Sequence, residues 1–280
     1  NRYPEVTNSE IRQKIANYIG FETKNVLIGN GSDEIIDTIG KAFISPLDKV
    51  IIPYPTFSLY STITNIYSGL PIMLPLNKDY APPIKKIISE AKNAKIAIIC
   101  SPNNPTGIAY TDEELKSILD TGILVILDEA YAEFNGHSGL ELLNDYNNLI
   151  VMKTFSKAFG LAGFRTGYCV SSEILIDSMS KVMLPYNLNL ASMKIAEYAI
   201  QHKDFMINSV KKIKENRKYL FGALKELDGV NPIQSSANFI LFETENPKII
   251  YEELLKRKIL IRYFEGKNYL RVTVGTYEEC

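Results

Sequence analysis

Several things are scarce in this 280-residue sequence, and each scarcity removes a class of function. Two histidines, His137 and His202, are too few for a His-based metal site, so no metal is expected. Three cysteines, Cys100, Cys169 and Cys280, are an odd set. The first two lie in apolar, strand-like runs where a thiol acts as a small core residue, which suits a reducing cytoplasm. No run approaches the roughly 18 continuous apolar residues of a membrane span. A formal net charge of −1 supplies no global field for nucleic acid or an anionic membrane, so any phosphate-binding groups must be local. The densest basic run, 211–218, is interleaved with Ile213 and Glu215 at helical spacing and reads as a solvated helix face. No repeat, low-complexity tract or Gly/Ser/Pro-rich linker is found. The sequence opens at Asn1 rather than methionine and stops at Cys280 just after a strand-like run, so both ends are expected to be cuts within a longer protein.

What is present is a 46% apolar chain with enough core-forming residues for one large domain or two. Short apolar runs at 26–28, 50–53, 72–74, 96–100, 123–127 and 149–152 read as strands. Helix-period segments at 34–43, 57–66, 84–91 and 113–119 separate them, the last opened by a Thr111/Glu114 capping box. This alternation predicts an α/β fold with a mainly parallel sheet covered by helices on both faces. After about residue 185 long helical stretches appear at 191–202 and 205–227. A strand at 238–242, a helix at 248–256 and short strands around Leu260 and Val272 follow. A large domain at 1–197 and a smaller α+β domain at 198–280 are therefore expected, packed tightly together.

The chemistry-bearing residues gather where the predicted strands end, the rim at which open α/β sheets bind ligands. Gly29-Asn30-Gly31-Ser32-Asp33-Glu34 opens a helix whose free N–H groups suit a phosphate, although the same residues also make a plain turn and N-cap. Neither a P-loop nor a dinucleotide fingerprint is formed. Pro55-Thr56-Phe57 sets an aromatic at the start of the next helix. Ser101 to Gly107 holds two amides in a proline-stiffened loop. The strand at 123–127 runs into Asp128-Glu129-Ala130-Tyr131, ending an apolar strand in a carboxylate that is costly to bury unless a cation meets it. Thr154-Phe155-Ser156-Lys157 places a lysine among apolar and hydroxyl residues, with Arg165 eight positions on.

These clusters, in this order, resemble the aspartate-aminotransferase-like superfamily of pyridoxal-phosphate (PLP) enzymes of fold type I, across essentially the whole chain. The resemblance implies that Lys157 is the Schiff-base lysine that also shuttles the substrate proton, and that Asp128 meets the pyridinium nitrogen. It implies that Asn104 and Tyr131 hold the ring's phenolic oxygen and that Phe57 stacks on the ring. Ser32, Asp33, Thr154, Ser156 and Arg165 would hold the phosphate, joined by Tyr3 from a neighbouring subunit, hence a homodimer with shared sites.

Within the superfamily, Arg2-Tyr3-Pro4, Ser156 to Phe159 and Leu270 to Thr276 are most similar to the histidinol-phosphate aminotransferases. These exchange an amino group between histidinol phosphate and 2-oxoglutarate in histidine biosynthesis. Arg271 and Arg262, with Asn104, would then bind the substrate's anionic end. Other members of the scaffold act on aromatic amino acids, decarboxylate phosphorylated amino acids, or serve as effector-binding modules of transcription regulators. The last reading wants a DNA-binding helix-turn-helix and a basic face, and neither is visible.

Overall fold

Strand β5 (Leu124–Asp128) is almost wholly aliphatic, so water can be offered neither of its faces. Period-two alternation divides it between two cores. Ile126 joins one cluster with Ile98, Ile150, Ile35 and Tyr60, while Val125 and Leu127 join another with Ile99, Val151, Ile87 and Ile118. A sheet sandwiched by helices follows directly from that parity.

The computed structural model describes residues 3–280. In chain order the elements are α1 (Ser9–Ile19), β1 (Val26–Gly29), α2 (Ser32–Phe43), β2 (Lys49–Tyr54), α3 (Leu59–Ile66), β3 (Leu70–Pro75), α4 (Ile84–Ala91), β4 (Ile96–Cys100) and α5 (Asp112–Leu119). After β5 come α6 (Ala132–Asn135), β6 (Leu149–Thr154), β7 (Gly167–Ser171), α7 (Glu173–Ser180), α8 (Leu190–Gln201) and α9 (Lys203–Lys225). The chain then forms β8 (Val230–Pro232), β9 (Phe239–Thr244), α10 (Pro247–Lys256), β10 (Arg262–Tyr263) and β11 (Tyr269–Thr273). The capping box at Thr111 and Glu114 is present at the head of α5.

One seven-stranded sheet has the order β1-β7-β6-β5-β4-β2-β3. Its β6, β5, β4, β2 and β3 pair in parallel, whereas β7 is antiparallel to both β6 and β1. Two reversals restore direction, so β1 runs the same way as β6. Gly29, Tyr54, Cys100, Asp128 and Thr154 therefore end on one rim. A four-stranded antiparallel sheet, β10-β11-β9-β8, joins this body through Tyr131 and Phe134 packed on Met206, Val210 and Phe239.

Four elements go beyond the sequence reading, α1, α6, α7 and β8, while β7 gives bounds to the strand-like run noted at Cys169. Elsewhere the bounds shift slightly. Phe57 precedes α3 rather than lying in its first turn, and the strand expected around Leu260 is Arg262–Tyr263. The lysines of 211–218 are exposed on α9. Cys100 and Cys169 are buried free thiols. Among the described residues no helix is long and apolar enough to cross a membrane.

Candidate active site

The rim opens into a cavity of about 910 Å³ between the two sheets. Its walls include Ser32, Asp33, Phe57, Asn104, Asp128, Tyr131, Thr154, Ser156, Lys157 and Arg165 from the large sheet, and Arg262 and Arg271 from the small one. Of the residues singled out in the sequence, Tyr3 alone stays away. It is 81% exposed and stacks on Tyr186 at 4.8 Å. Arg2 of the same motif lies outside the described residues.

At one end the chain builds an anion cradle. Gly31, at φ 83°, caps α2 and turns the chain so that the N–H groups of Ser32 and Asp33, which have no intrahelical acceptor, head the helix at the rim. Glycine is required at two positions here, at Gly31 by its positive φ and at Gly167 by a close approach to backbone. A Cβ on Gly31 would stand 2.5 Å from Arg165 Nη2, and one on Gly167 would stand 2.4 Å from the Ser32 nitrogen. Arg165 donates to Asp33 Oδ2 at 2.7 Å, which holds its guanidinium beside the helix end. Thr154 Oγ1 accepts from the Ser156 N–H at 3.1 Å, adding hydroxyls on the same side.

In the middle lie Lys157 and Asp128. The Lys157 side chain is exposed where it enters the cavity, with Nζ 5.5 Å from the centre of the Tyr131 ring. Surrounding protein, and then the charge of Arg271, lower its proton affinity below that of an ordinary lysine. Asp128 is buried and shares the parity of Ile126, so it points to the face covered by α2 and α3. Its Oδ2 accepts from the Tyr60 hydroxyl at 2.7 Å and its Oδ1 from the Ala130 N–H at 2.9 Å. Among the described residues no cation lies within ion-pair distance of it. The cation expected at this carboxylate is thus not supplied by the described residues. Burial raises Asp128's proton affinity, while the two hydrogen bonds oppose that rise.

The two loop amides part company. Asn103 is spent on structure, accepting from Thr56 Oγ1 at 2.7 Å and donating to Thr106 Oγ1 and the Pro55 carbonyl at 3.0 Å. Asn104 faces the cavity, where its Oδ1 accepts from Arg271 Nη1 at 2.5 Å. Arg271 also lies 4.7 Å over the Phe239 ring, and its Nε is buried without a partner among the described residues. Arg262 is directly opposite Arg271 across β10 and β11.

Sequence reasoning missed Tyr60, whose i+3 spacing from Phe57 was the available signal. It also missed the mouth residues Tyr54, Tyr263, Phe264, Lys267 and Tyr269, because the second sheet brings four of them from far along the chain.

The donor set fits a planar, phosphorylated, cationic ring. It offers an anion cradle, an aromatic wall at Phe57, a buried carboxylate without its cation and a lysine amine with lowered proton affinity.

Comparison with known proteins gives the same picture. The family described as Aminotransferase class I and II matches over residues 1–280. The histidinol-phosphate aminotransferase of Thermococcus gammatolerans is 39% identical over 278 residues, 98% of this chain and 78% of that protein. That of Pyrococcus furiosus is 37% identical over 278 residues, 98% and 79% of the two. Among solved structures, the histidinol-phosphate aminotransferase of Clostridium acetobutylicum superimposes with a TM-score of 0.93 at 24% identity, covering 100% of this chain and 87% of that one. The enzyme from Sinorhizobium meliloti, in complex with pyridoxal-5'-phosphate, gives 0.90 at 23% identity, covering 99% and 79%. At these identities the structural likeness concerns the fold.

Proposed function

This chain belongs to the aminotransferase class I and II family, and from that premise we infer that it is a PLP-dependent aminotransferase exchanging an amino group between histidinol phosphate and 2-oxoglutarate. One observation carries the reading: a single cavity receives the Lys157 amine, the unpaired Asp128 carboxylate and the N-terminus of α2 beside Arg165. When bound, PLP supplies an electrophilic carbon for the substrate's nitrogen and an electron-withdrawing ring.

The residues divide the labour. Ser32 and Asp33 through their N–H groups, Thr154 and Ser156 through hydroxyls, and Arg165 through its charge would hold the phosphate, each bond to a charged group adding about 1.5–3 kcal/mol. Phe57 would stack on the ring, and Asn104 and Tyr131 would hold its oxygen. Asp128 would meet the ring nitrogen and, as a carboxylate, favour its protonated form. Lys157, with its proton affinity lowered, is the base that takes the substrate's α-proton and returns it. Arg271, fixed by Asn104, and Arg262 beside it bind the anionic end, a fork suited to a carboxylate or a phosphate in turn.

The same reading includes a homodimer with shared sites, in which the exposed Tyr3 reaches the phosphate of a second subunit; a monomer in sedimentation equilibrium would refute it. It also includes a domain division at 1–197 and 198–280, supported by one sheet on each side, which single-step unfolding of a 1–197 fragment with native-like spectra would test. A cytoplasmic location suits the three free cysteines, and fractionation tests it.

Lys157→Ala is expected to fold and retain non-covalent cofactor while losing turnover by about 10²–10⁴-fold or more. Product analysis with histidinol phosphate, phenylalanine and phosphothreonine decides specificity. Imidazole-acetol phosphate formed from the first substrate supports the assignment. Transamination of phenylalanine alone, release of carbon dioxide, or full activity of Lys157→Ala rejects it.

A further inference from the structure

Tyr60 is a fully buried side chain whose hydroxyl has no packing reason to exist. It lies one helical turn beyond Phe57, and the two rings meet edge to face at 5.7 Å. Phenylalanine would fill the same space. Burying a hydroxyl without a partner is costly, and this one donates to Asp128 Oδ2 at 2.7 Å. With the Ala130 N–H on Oδ1, each oxygen of Asp128 has one donor from the chain.

We propose that Tyr60 is a positioning residue that fixes the Asp128 carboxylate and keeps it ionised toward the cofactor's ring nitrogen, an inference that rests on the cofactor reading above. The groups around Asp128 make that support necessary. Asp33 at the head of α2 and Glu129 on the neighbouring residue are negative, and burial further favours the protonated acid. Cys100, opposite Asp128 on β4, is a neutral thiol whose proton affinity burial pushes up to about 12. Lys157 borders the cavity and brings positive charge, Tyr131 beside it is neutral, and Arg165, Arg262, Lys267 and Arg271 line the same cavity without an ion pair to Asp128 among the described residues. The Tyr60 hydroxyl and the Ala130 N–H are the donors that oppose protonation. Removing the hydroxyl makes Asp128 the stronger base. The proton shared with a ring nitrogen then moves toward the carboxylate, and the ring withdraws electrons less well.

The test is Tyr60→Phe, read in two ways. In cofactor-free protein labelled with carboxyl-¹³C aspartate, the Asp128 signal is identified by its loss in Asp128→Asn. Its titration midpoint is expected to move to higher pH in Tyr60→Phe, and an unmoved midpoint overturns the proposal. In protein loaded with ring-¹⁵N PLP, the nitrogen signal is expected to move toward the neutral pyridine value, with the amino-transfer half-reaction slowed about tenfold, equivalent to about 1.4 kcal/mol. In an Asp128→Asn background the same substitution is expected to change the rate no further. Equal slowing in both backgrounds would mean that Tyr60 acts through packing and would overturn the proposal. Failure of the unmutated protein to take up PLP rejects the cofactor reading, while the cofactor-free titration still decides the Tyr60–Asp128 link.

Discussion

Lys157 and Arg271 are separated by 114 positions in sequence and share one cavity, where the charge of Arg271 makes that of Lys157 harder to keep. A protonated amine is disfavoured by burial and by a positive neighbour, so Lys157 deprotonates below the ordinary lysine range. Arg271→Gln removes the neighbour and leaves most of the burial. The expected result is that amine modification of Lys157 in cofactor-free protein sets in at higher pH than in the parent. Onset at the same or a lower pH would remove Arg271 from the account of Lys157's reactivity.

At the scale of elements, the ends of β5 and β6 are clamped from the face opposite the site. Because Asp128 and Thr154 point into one face, their neighbours Glu129 and Lys153 point into the other. There Lys153 Nζ lies 3.0 Å from Glu129 Oε2 and 3.2 Å from Glu133 Oε1, all three side chains largely buried. Glu129 also accepts from the Ser138 hydroxyl and from the Gly139 N–H. Burial alone would lower the proton affinity of Lys153, but Glu129 and then Glu133 outweigh it and raise the net value. A raised lysine contributes fully below its unfolded range and fades only as pH climbs through the higher folded one, so this clamp holds throughout the neutral range. Lys153→Met strands two buried carboxylates and is expected to cost about 3–5 kcal/mol in urea unfolding. Adding Glu129→Gln should restore part of it, and a neutral Lys153→Met would contradict the clamp.

The elements themselves were unevenly legible in the sequence. Runs such as Ile96-Ala97-Ile98-Ile99 declare a buried strand because no face of them tolerates water. β7 was legible only as a strand-like run around Cys169, without bounds, because Gly167 is selected by its approach to the Ser32 nitrogen rather than by strand propensity, and only four residues follow it. Helix α1 shows apolar Ile11, Ile15 and Ile19 at helical spacing, a signal present but unread. At the site, Lys157, Asp128, Asn104 and Arg165 stood out because polar residues at the ends of apolar strands have few structural reasons to be there. Tyr60 did not, since an aromatic one turn into a helix reads as core. The facing of Arg262 and Arg271 depends on strand register, which pattern alone cannot supply.

For the whole molecule, the cavity is as rigid as the junction of its two sheets. Tyr80, in the turn after β3, donates to Glu243 Oε1 on β9 at 2.7 Å and packs edge-on against Tyr269 of β11 at 6.3 Å. That contact spans from the edge of the large sheet to the strand that carries Arg271. Tyr80→Phe is expected to raise KM for the phosphorylated substrate several-fold with kcat nearly kept. The accompanying fall in Tm should be about 2–4 °C, as one lost hydrogen bond implies. An unchanged KM would make the junction irrelevant to substrate capture.

The facing arginines of β10 and β11 have a consequence for the protein at rest. Like charges directly opposite on an antiparallel pair repel, and here both guanidiniums line the same cavity. On the proposed reading, a dianion settling between the two arginines would relieve that repulsion. Capture of substrate and consolidation of the small sheet would then be one event.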